Sequence, residues 1–343
     1  MIATDFTPVR RAVIIAFGSA LIATSLVAQG GTRSPISIGD YPDVAGIRIN
    51  FRDRNLGHVN GVNITVWTPY EPMSGRVRGI ALGLPVTGAE DITGFATGLL
   101  GLGASRDFTG IGIAPVGIGA GNRVKGIVVG GIGVGTGGSL EGVVIGGIGA
   151  GAGGDAKGII LGGIGAGVAG RMTGLAAGLI GVGAGGGGKG VILGGVGAGI
   201  GGDFEGIGIG GVGIGVGGNV RGLLIGGIGL GVGGTMRGIA IGGIGVGASE
   251  LIGFAAGGIG VGAHDARALV LTPGFFRIEN GGSFRGVSIN AAGSMIKGTQ
   301  HGIVIGLFNY ARRLDGMQVG LINIIDESKA HRVLPFVNWG RRD

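Results

Sequence analysis

Gly142-Val-Val-Ile-Gly-Gly-Ile-Gly-Ala-Gly-Ala-Gly-Gly-Asp-Ala-Lys157 is one unit of a repeat, and Gly222-Leu-Leu-Ile-Gly-Gly-Ile-Gly-Leu-Gly-Val-Gly-Gly-Thr-Met-Arg237 is another. Their leading glycines belong to a series that recurs every sixteen residues without a slip, from Gly94 through Gly110, Gly126, Gly142, Gly158, Gly174, Gly190, Gly206 and Gly222 to Gly238. Looser units flank it, led by Gly46, Gly61 and Gly79 on one side and Gly253, Gly286, Gly302 and Gly316 on the other. A fixed period of this kind is the signature of a repeat architecture.

Number the columns from the leading glycine. Column two is always bulky (Val143, Ile159, Leu175, Ile207), and column seven is always Ile or Val from Ile132 to Ile244. Columns eight and ten are glycine, while nine and eleven are small or medium apolar residues. Alternation with period two specifies strand, and glycine at this density would ruin a helix. The apolar parity flips between columns four and seven, which places a corner at the paired glycines Gly146-Gly147 and Gly226-Gly227. A second corner fits columns twelve to fourteen, as in Gly201-Gly202-Asp203, where Gly, Asn and Asp tolerate the backbone a turn needs. Columns two, four, seven, nine and eleven are therefore expected to form the core. Column three varies from Leu224 to Gly208, as an outward position would.

Between Arg123 and Arg237 every charged residue falls in column fourteen or sixteen, so charge is confined to one edge of the unit and reads as a solvated rim. The expected fold is an all-β, glycine-rich β-solenoid with sixteen-residue coils and capped ends, each coil stacked in parallel on the last. An up-and-down outer-membrane-type β-barrel is the second architecture that fits. It requires strands of roughly 9–11 residues and alternating chain direction, which a sixteen-residue period without doubling serves poorly.

The chain has 343 residues, 91 of them glycine and none cysteine, with a formal charge of +7. It offers no disulfide framework, thiolate nucleophile or cysteine-ligated metal. Arg10 and Arg11 precede an apolar run from Ala12 to Ala28, with Leu26 and Ala28 at the small-residue positions of a cleavage site. That pattern predicts a signal peptide over residues 1–28, with an uncleaved N-terminal membrane anchor as the alternative, and hence export, to the cell surface or outer membrane, with the periplasm as the remaining destination. The expected organisation continues with a linker and divergent capping repeats over 29–93. The regular array covers 94–262, and divergent C-terminal repeats with a cap cover 263–343.

The C-terminal units read Gly302-Ile-Val-Ile-Gly-Leu-Phe-Asn309 and Gly316-Met-Gln-Val-Gly-Leu-Ile-Asn323, and Pro335-Phe-Val-Asn338-Trp-Gly340 echoes their last step. Near the start stand Gly46-Ile-Arg-Ile-Asn50 and Gly61-Val-Asn-Ile-Thr65. These segments resemble the bacterial exported family of surface repeat-containing proteins, built on tandem glycine–apolar–Gln–apolar–Gly-Leu–apolar–Asn units. The resemblance covers both ends and implies a surface location without an established activity. The middle keeps the spacing but replaces Gln and Asn by apolar residues and glycine, and no functional residue carries over.

Motifs for chemistry are absent or degenerate. Gly133-x-Gly135-x-x-Gly138 matches a dinucleotide pattern, yet a real fingerprint occurs once, between a strand and a helix, whereas this one recurs in successive repeats. Gly183 to Lys189 approaches a phosphate-binding loop, but Gly190 stands where Ser or Thr would hold magnesium. His58, His264, His301 and His331 show no metal-ligand spacing, and His264-Asp265 are strand neighbours expected to face apart. No catalytic, cofactor-binding or metal residue is assigned, and no enzyme, nucleic-acid or small-molecule role is expected. Collagen is excluded by the period, and an ice-binding face by the lack of a Thr ladder. Trp67, Phe275, Phe276, Phe308, Phe336 and Trp339 are expected in the cores of the caps. Glycines of columns eight and ten would bare a flat backbone face, suited to a second copy, a membrane-embedded partner or a surface polymer. The function expected is that of a structural or adhesive module at the cell surface, with an outer-membrane barrel or pore as the alternative.

Overall fold

The computed structural model describes residues 35–328 and 332–340. The predicted signal segment and His331 lie outside the described residues. The chain divides into two compact units, one ending at Gly131 and the other beginning at Ile132. Among the described residues there is no helix.

Both units are parallel β-solenoids. In the second, the strands Ser139–Gly146, Ala156–Gly162, Met172–Gly178, Gly188–Gly194, Phe204–Gly210 and Val220–Gly226 stack in parallel with like columns in register: Val143 on Ile159, Ile159 on Leu175, Leu175 on Val191, Val191 on Ile207 and Ile207 on Leu223. A second stack is built from four-residue strands such as Gly149–Ala152, Gly165–Val168 and Gly181–Ala184, again parallel and sixteen residues apart. The corners are laddered as well. Each column-seven N–H donates to the column-seven carbonyl of the coil before it, from Ile148 to Ile132 (2.7 Å) through Ile259 to Ile244 (2.7 Å). Parallel stacking by one coil per period overturns the barrel reading, in which neighbouring strands would alternate in direction.

The first unit follows the same plan. Val44, Val59, Val77, Ile92, Phe108 and Val124 occupy one inward column on successive parallel strands. Its core also holds a charge. Arg48 is fully buried and donates to Asp40 (2.7 Å), to Asn63 (2.9 Å), to the Tyr41 carbonyl (2.7 Å) and to the buried Asp53. Asp53 also accepts from Asn63 and Thr65. A buried pair of this kind contributes little net stability but is costly to break, because the survivor is left uncompensated. Arg48→Met is expected to destabilise the first unit by about 3–5 kcal/mol. The double variant Arg48→Met with Asp53→Leu should recover much of that loss in urea denaturation, and equal losses would refute this account of the cluster.

The inside of the coil matches the sequence expectation in columns nine and eleven and differs from it in the rest. Column three is buried (Val144, Ile160, Ile192, Leu224), and so is column fifteen (Leu140, Met172, Phe204, Met236), together with nine and eleven. Columns two, four and seven point outward: Ile159, Ile145 and Ile148 are 41%, 36% and 50% exposed. The cause is the leading glycine. In every regular coil it has positive φ, +120° to +143° from Gly142 to Gly238, a region that L side chains rarely adopt. This corner resets the parity, so columns fifteen and three both face in while sixteen and two both face out. Each coil thus has three sides, and the core lies between them.

Column three varies because it shares core volume with column fifteen, four residues earlier. Large faces small: Phe204 with Gly208, Phe108 with Gly112, Met172 with Ala176 and Met236 with Ala240. The reverse order occurs in Gly188 with Ile192 and Ala156 with Ile160. A Cβ on Gly208 would touch Phe204 Cε1 at 3.4 Å and press on the side-chain ends of Ile214 (2.5 Å) and Leu224 (2.8 Å), so a larger residue there must share space with Phe204.

At the C-terminal end the core becomes polar. Ser294 and Asn309 occupy the inward rung that Val246, Val261 and Phe276 fill in the preceding coils. Asn309 Nδ2 donates to Asn323 Oδ1 (2.9 Å) and to the corner carbonyl of Gly306 (2.9 Å), and Gln318 Nε2 donates to Gln300 Oε1 (3.0 Å). The Gln and Asn of these C-terminal units are therefore buried ladders that tie corners together. The final strand, Val333–Gly340, runs antiparallel to Phe308–Ile325 and ends the parallel series.

Candidate interaction surfaces

The three sides of a regular coil in the second unit carry three different chemistries. The first, columns fourteen to sixteen, holds the charge. Lys189 pairs with Glu205 across one rung (3.3 Å), an exposed contact worth little. Arg221 lies directly beside Arg237. The acids and amides of column fourteen fasten the corner instead: Asp203 Oδ1 accepts the backbone N–H of Asn219 (2.7 Å), and Asn219 Oδ1 accepts that of Thr235 (2.9 Å). Asp155 does the same for Arg171 (2.8 Å).

The second side and its corner form an aliphatic wall from columns two, four and seven. Its residues include Ile148, Ile164, Ile180, Val196, Val212, Ile228 and Ile244 at the corner, each 46–55% exposed. Leu179 projects furthest, at 77% exposed. Outward aliphatics in three columns over successive coils exceed the few hundred Å² of contiguous apolar surface common on a monomer. Farther on, Leu271, Ile289, Ile305, Leu307, Leu321 and Phe336 line a shallow apolar groove of about 810 Å³.

The third side is bare backbone. Two kinds of glycine in the coil contrast when a Cβ is imagined at each, those of the column-one corner and those of this side. Column-one glycines collide with the stacked carbonyl of the previous coil, at 2.0 Å for Gly158 on Gly142 O. Column-ten glycines meet nothing within 4 Å at Gly135, Gly167, Gly183, Gly199, Gly215, Gly231, Gly247 and Gly262. Nothing within the chain requires glycine there. The first unit shows what the same side can accept. A Cβ on Gly88 would lie 2.4 Å from Met73 Sδ and 3.1 Å from Pro69 Cγ, and one on Gly103 would lie 3.1 Å from Met73 Cε. The chain's own Pro69–Met73 segment thus lies against the glycines, held also by Ser105 Oγ donating to the Met73 carbonyl (3.1 Å).

The residues singled out in the sequence do not converge on a site. His264 Nε2 and Asp265 Oδ2 are 3.7 Å apart, closer than a strand pair facing apart would allow, and both are largely exposed. His301 meets Asp315 of the next coil (3.0 Å), and His58 meets Asp43 (3.3 Å). Among the described residues no group of three or more His, Asp or Glu is placed to hold a metal ion. Of the aromatics expected in the caps, only Phe276 is fully buried, against Phe284 (4.9 Å between ring centroids). Trp67, Phe275, Phe336 and Trp339 are half exposed or more, and Phe308 is half-buried, because each lies in an outward column or on the last strand.

Asp265 illustrates the corner chemistry. Partial burial works to raise its pKa, but hydrogen bonds from the Ser283 N–H (2.8 Å) and hydroxyl (2.7 Å), with His264 and Arg267 nearby, leave it below the ordinary carboxylate value. A depressed folded pKa means that the ionised form supports the fold, with the contribution complete above the unfolded pKa and lost as pH falls through the folded one. Ser283→Ala should raise the Asp265 pKa in a carboxyl-resolved NMR titration, and an unchanged value would contradict this assignment.

The fold and surfaces define a class: a glycine-rich parallel β-solenoid with one charged, one aliphatic and one glycine side. No protein-family model matches the chain, and no curated protein or solved structure does so either. Among the described residues no helix is long and apolar enough to cross a membrane.

Proposed function

We propose that this chain is an exported, non-catalytic structural or adhesive module that acts at the cell surface through the sides of its solenoid. The observation that carries this reading is the open glycine side of the second unit. Glycine inside a strand costs stability relative to other residues and often marks a close approach by another backbone or a ligand. In the first unit that approach is made by the chain's own Pro69–Met73 segment; in the second, the same column is glycine with the space above it empty. A flat partner laid on this side reaches the backbone without displacing any side chain. The apolar segment after Arg10 and Arg11 supports export. An association with the outer membrane would then run through the outer sides of a solenoid.

The test replaces Gly199, Gly215 and Gly231 by Val in cells that express the chain, positions where a Cβ would meet nothing within 4 Å. The wild-type chain should be digested by protease added to intact cells and remain cell-bound. The variant should fold, by circular dichroism, but be released to the medium. A wild-type chain protected from protease in intact cells and free in the cytoplasm would overturn the proposal.

A further inference from the structure

We propose that the aliphatic wall of the second unit is the contact surface for a second copy of this chain, packed wall to wall. The inference concerns a side of the coil different from the glycine side and goes beyond the function proposed above.

Three observations lead to it. The wall is too large to be left in water. Over eight coils, at roughly 4.8 Å per strand and about 18 Å along columns two to seven with the corner included, it presents on the order of 700 Å². That is close to the ~800 Å² per partner of a standard stable interface. The wall is also chemically uniform. No charged residue occurs in columns one to twelve between Ile132 and Gly262, so a copy turned against it by a two-fold axis meets no charge at any rung. A patch that complements itself closes into a dimer.

Register supplies the third. Outward side chains such as Ile209, Ile225 and Ile241 stand on successive stacked strands and leave grooves between rungs at the strand spacing. A partner with another spacing falls out of step after a few rungs. A second copy has the same spacing throughout, so its ridges can settle into the grooves along the whole length. The partner need supply only side-chain packing, because the strands of the wall are already hydrogen-bonded to their neighbours on both sides.

A lipid surface is the other apolar occupant, and the composition speaks against it. Membrane-lying amphipathic elements carry Lys and Arg on the polar face and aromatic anchors at the border. Residues 132–262 contain no Trp or Tyr, and their charged side holds as many acids as bases.

The test uses the purified full chain without detergent. Sedimentation equilibrium should give twice the chain mass, with dissociation on dilution. Ile145, Ile209 and Ile241, all outward in column four and on separate rungs, are replaced together by Lys. The variant should keep the β-sheet circular dichroism and weaken the dimer at least 100-fold. If the Lys variant does not fold, the same three positions are changed to Ser, with the same direction expected. The Gly199, Gly215 and Gly231→Val variant should leave the dimer intact. A wild-type chain that stays monomeric at every concentration would overturn the proposal, as would a dimer indifferent to Lys or Ser on the wall, or one broken by the glycine-side variant. A monomer that floats with neutral phosphatidylcholine vesicles would assign the wall to lipid instead. None of these results bears on protease exposure in intact cells, which tests the proposed function separately.

Discussion

Gly206→Ala is expected to destabilise the second unit by about 3 kcal/mol, while Gly215→Ala, nine residues later in the same coil, leaves stability unchanged or slightly raised. Gly206 stands in column one with φ of +143°, and a Cβ there would lie 1.9 Å from the carbonyl oxygen of Gly190. That oxygen belongs to the stacked backbone of the previous coil and cannot rotate away. Either the strand moves, breaking the ladder on both sides, or the coil opens. Gly215 has ordinary extended backbone and nothing within 4 Å of its would-be Cβ. Alanine there removes unfolded-state entropy without a clash, worth roughly 0.4–1 kcal/mol. Because solenoid repeats are stabilised by their neighbours, the loss at Gly206 should be read locally. Hydrogen exchange should accelerate in Gly188–Gly194 and Val220–Gly226 as well as in the mutated strand. Equal behaviour of the two variants would show that column-one glycines are not corners.

The second large effect concerns the shared core volume. Phe204→Ala should cost about 3–5 kcal/mol, since Phe204 is buried and its neighbour in column three, Gly208, has no side chain with which to fill the cavity. Gly208→Ile alone should also destabilise, by about 1–3 kcal/mol, because a Cβ there already lies 3.4 Å from Phe204 Cε1 and a longer side chain must enter the volume that Phe204 fills. The pair together recreates the arrangement of Ala156 with Ile160, a coil that stacks in the same register. The double variant should therefore be more stable than either single one, with an interaction energy of roughly 1–3 kcal/mol in a double-mutant cycle. Additive losses would mean that the two columns do not share space.

This pairing also explains where sequence reading succeeded and failed. The period, the strands, the parallel stack and the charged edge all follow from glycine spacing and from the confinement of Arg, Lys, Asp and Glu to two columns. The inside of the coil does not. A strand pattern says that columns two and four share a face, but not which face, and uniform Ile and Val there favoured the interior. The parity reset at column one is invisible in composition, because the conformation that makes it is open to glycine alone. The usable signal was in column three. Its variation from Leu224 to Gly208 resembled surface drift only while it was viewed apart from column fifteen; paired four residues back, large meets small in coil after coil.

The surfaces were legible to differing degrees. The glycine side follows from columns eight and ten. Its division into glycines the chain needs and glycines it does not need requires coordinates, as does the seating of Met73 on Gly88. Gln318 and Asn323 belong to inward ladders, so the polar columns near the C-terminal end serve packing. The aromatics failed as core markers for the same reason as the wall: Phe275 and Phe276 are consecutive, and only one of them can face in.

Spin labels give the most direct test of the stack itself. The chain has no cysteine, so Gly151, Gly215 and Gly247, on the open side, can be replaced by Cys in pairs without background. Gly151 and Gly215 are four coils apart, and Gly151 and Gly247 six, so pulsed dipolar spectroscopy should give separations near 19 Å and 29 Å, in the ratio of the coil numbers at about 4.8 Å each. Separations that do not grow with coil number, or that return on themselves as around a closed wall, would contradict the account.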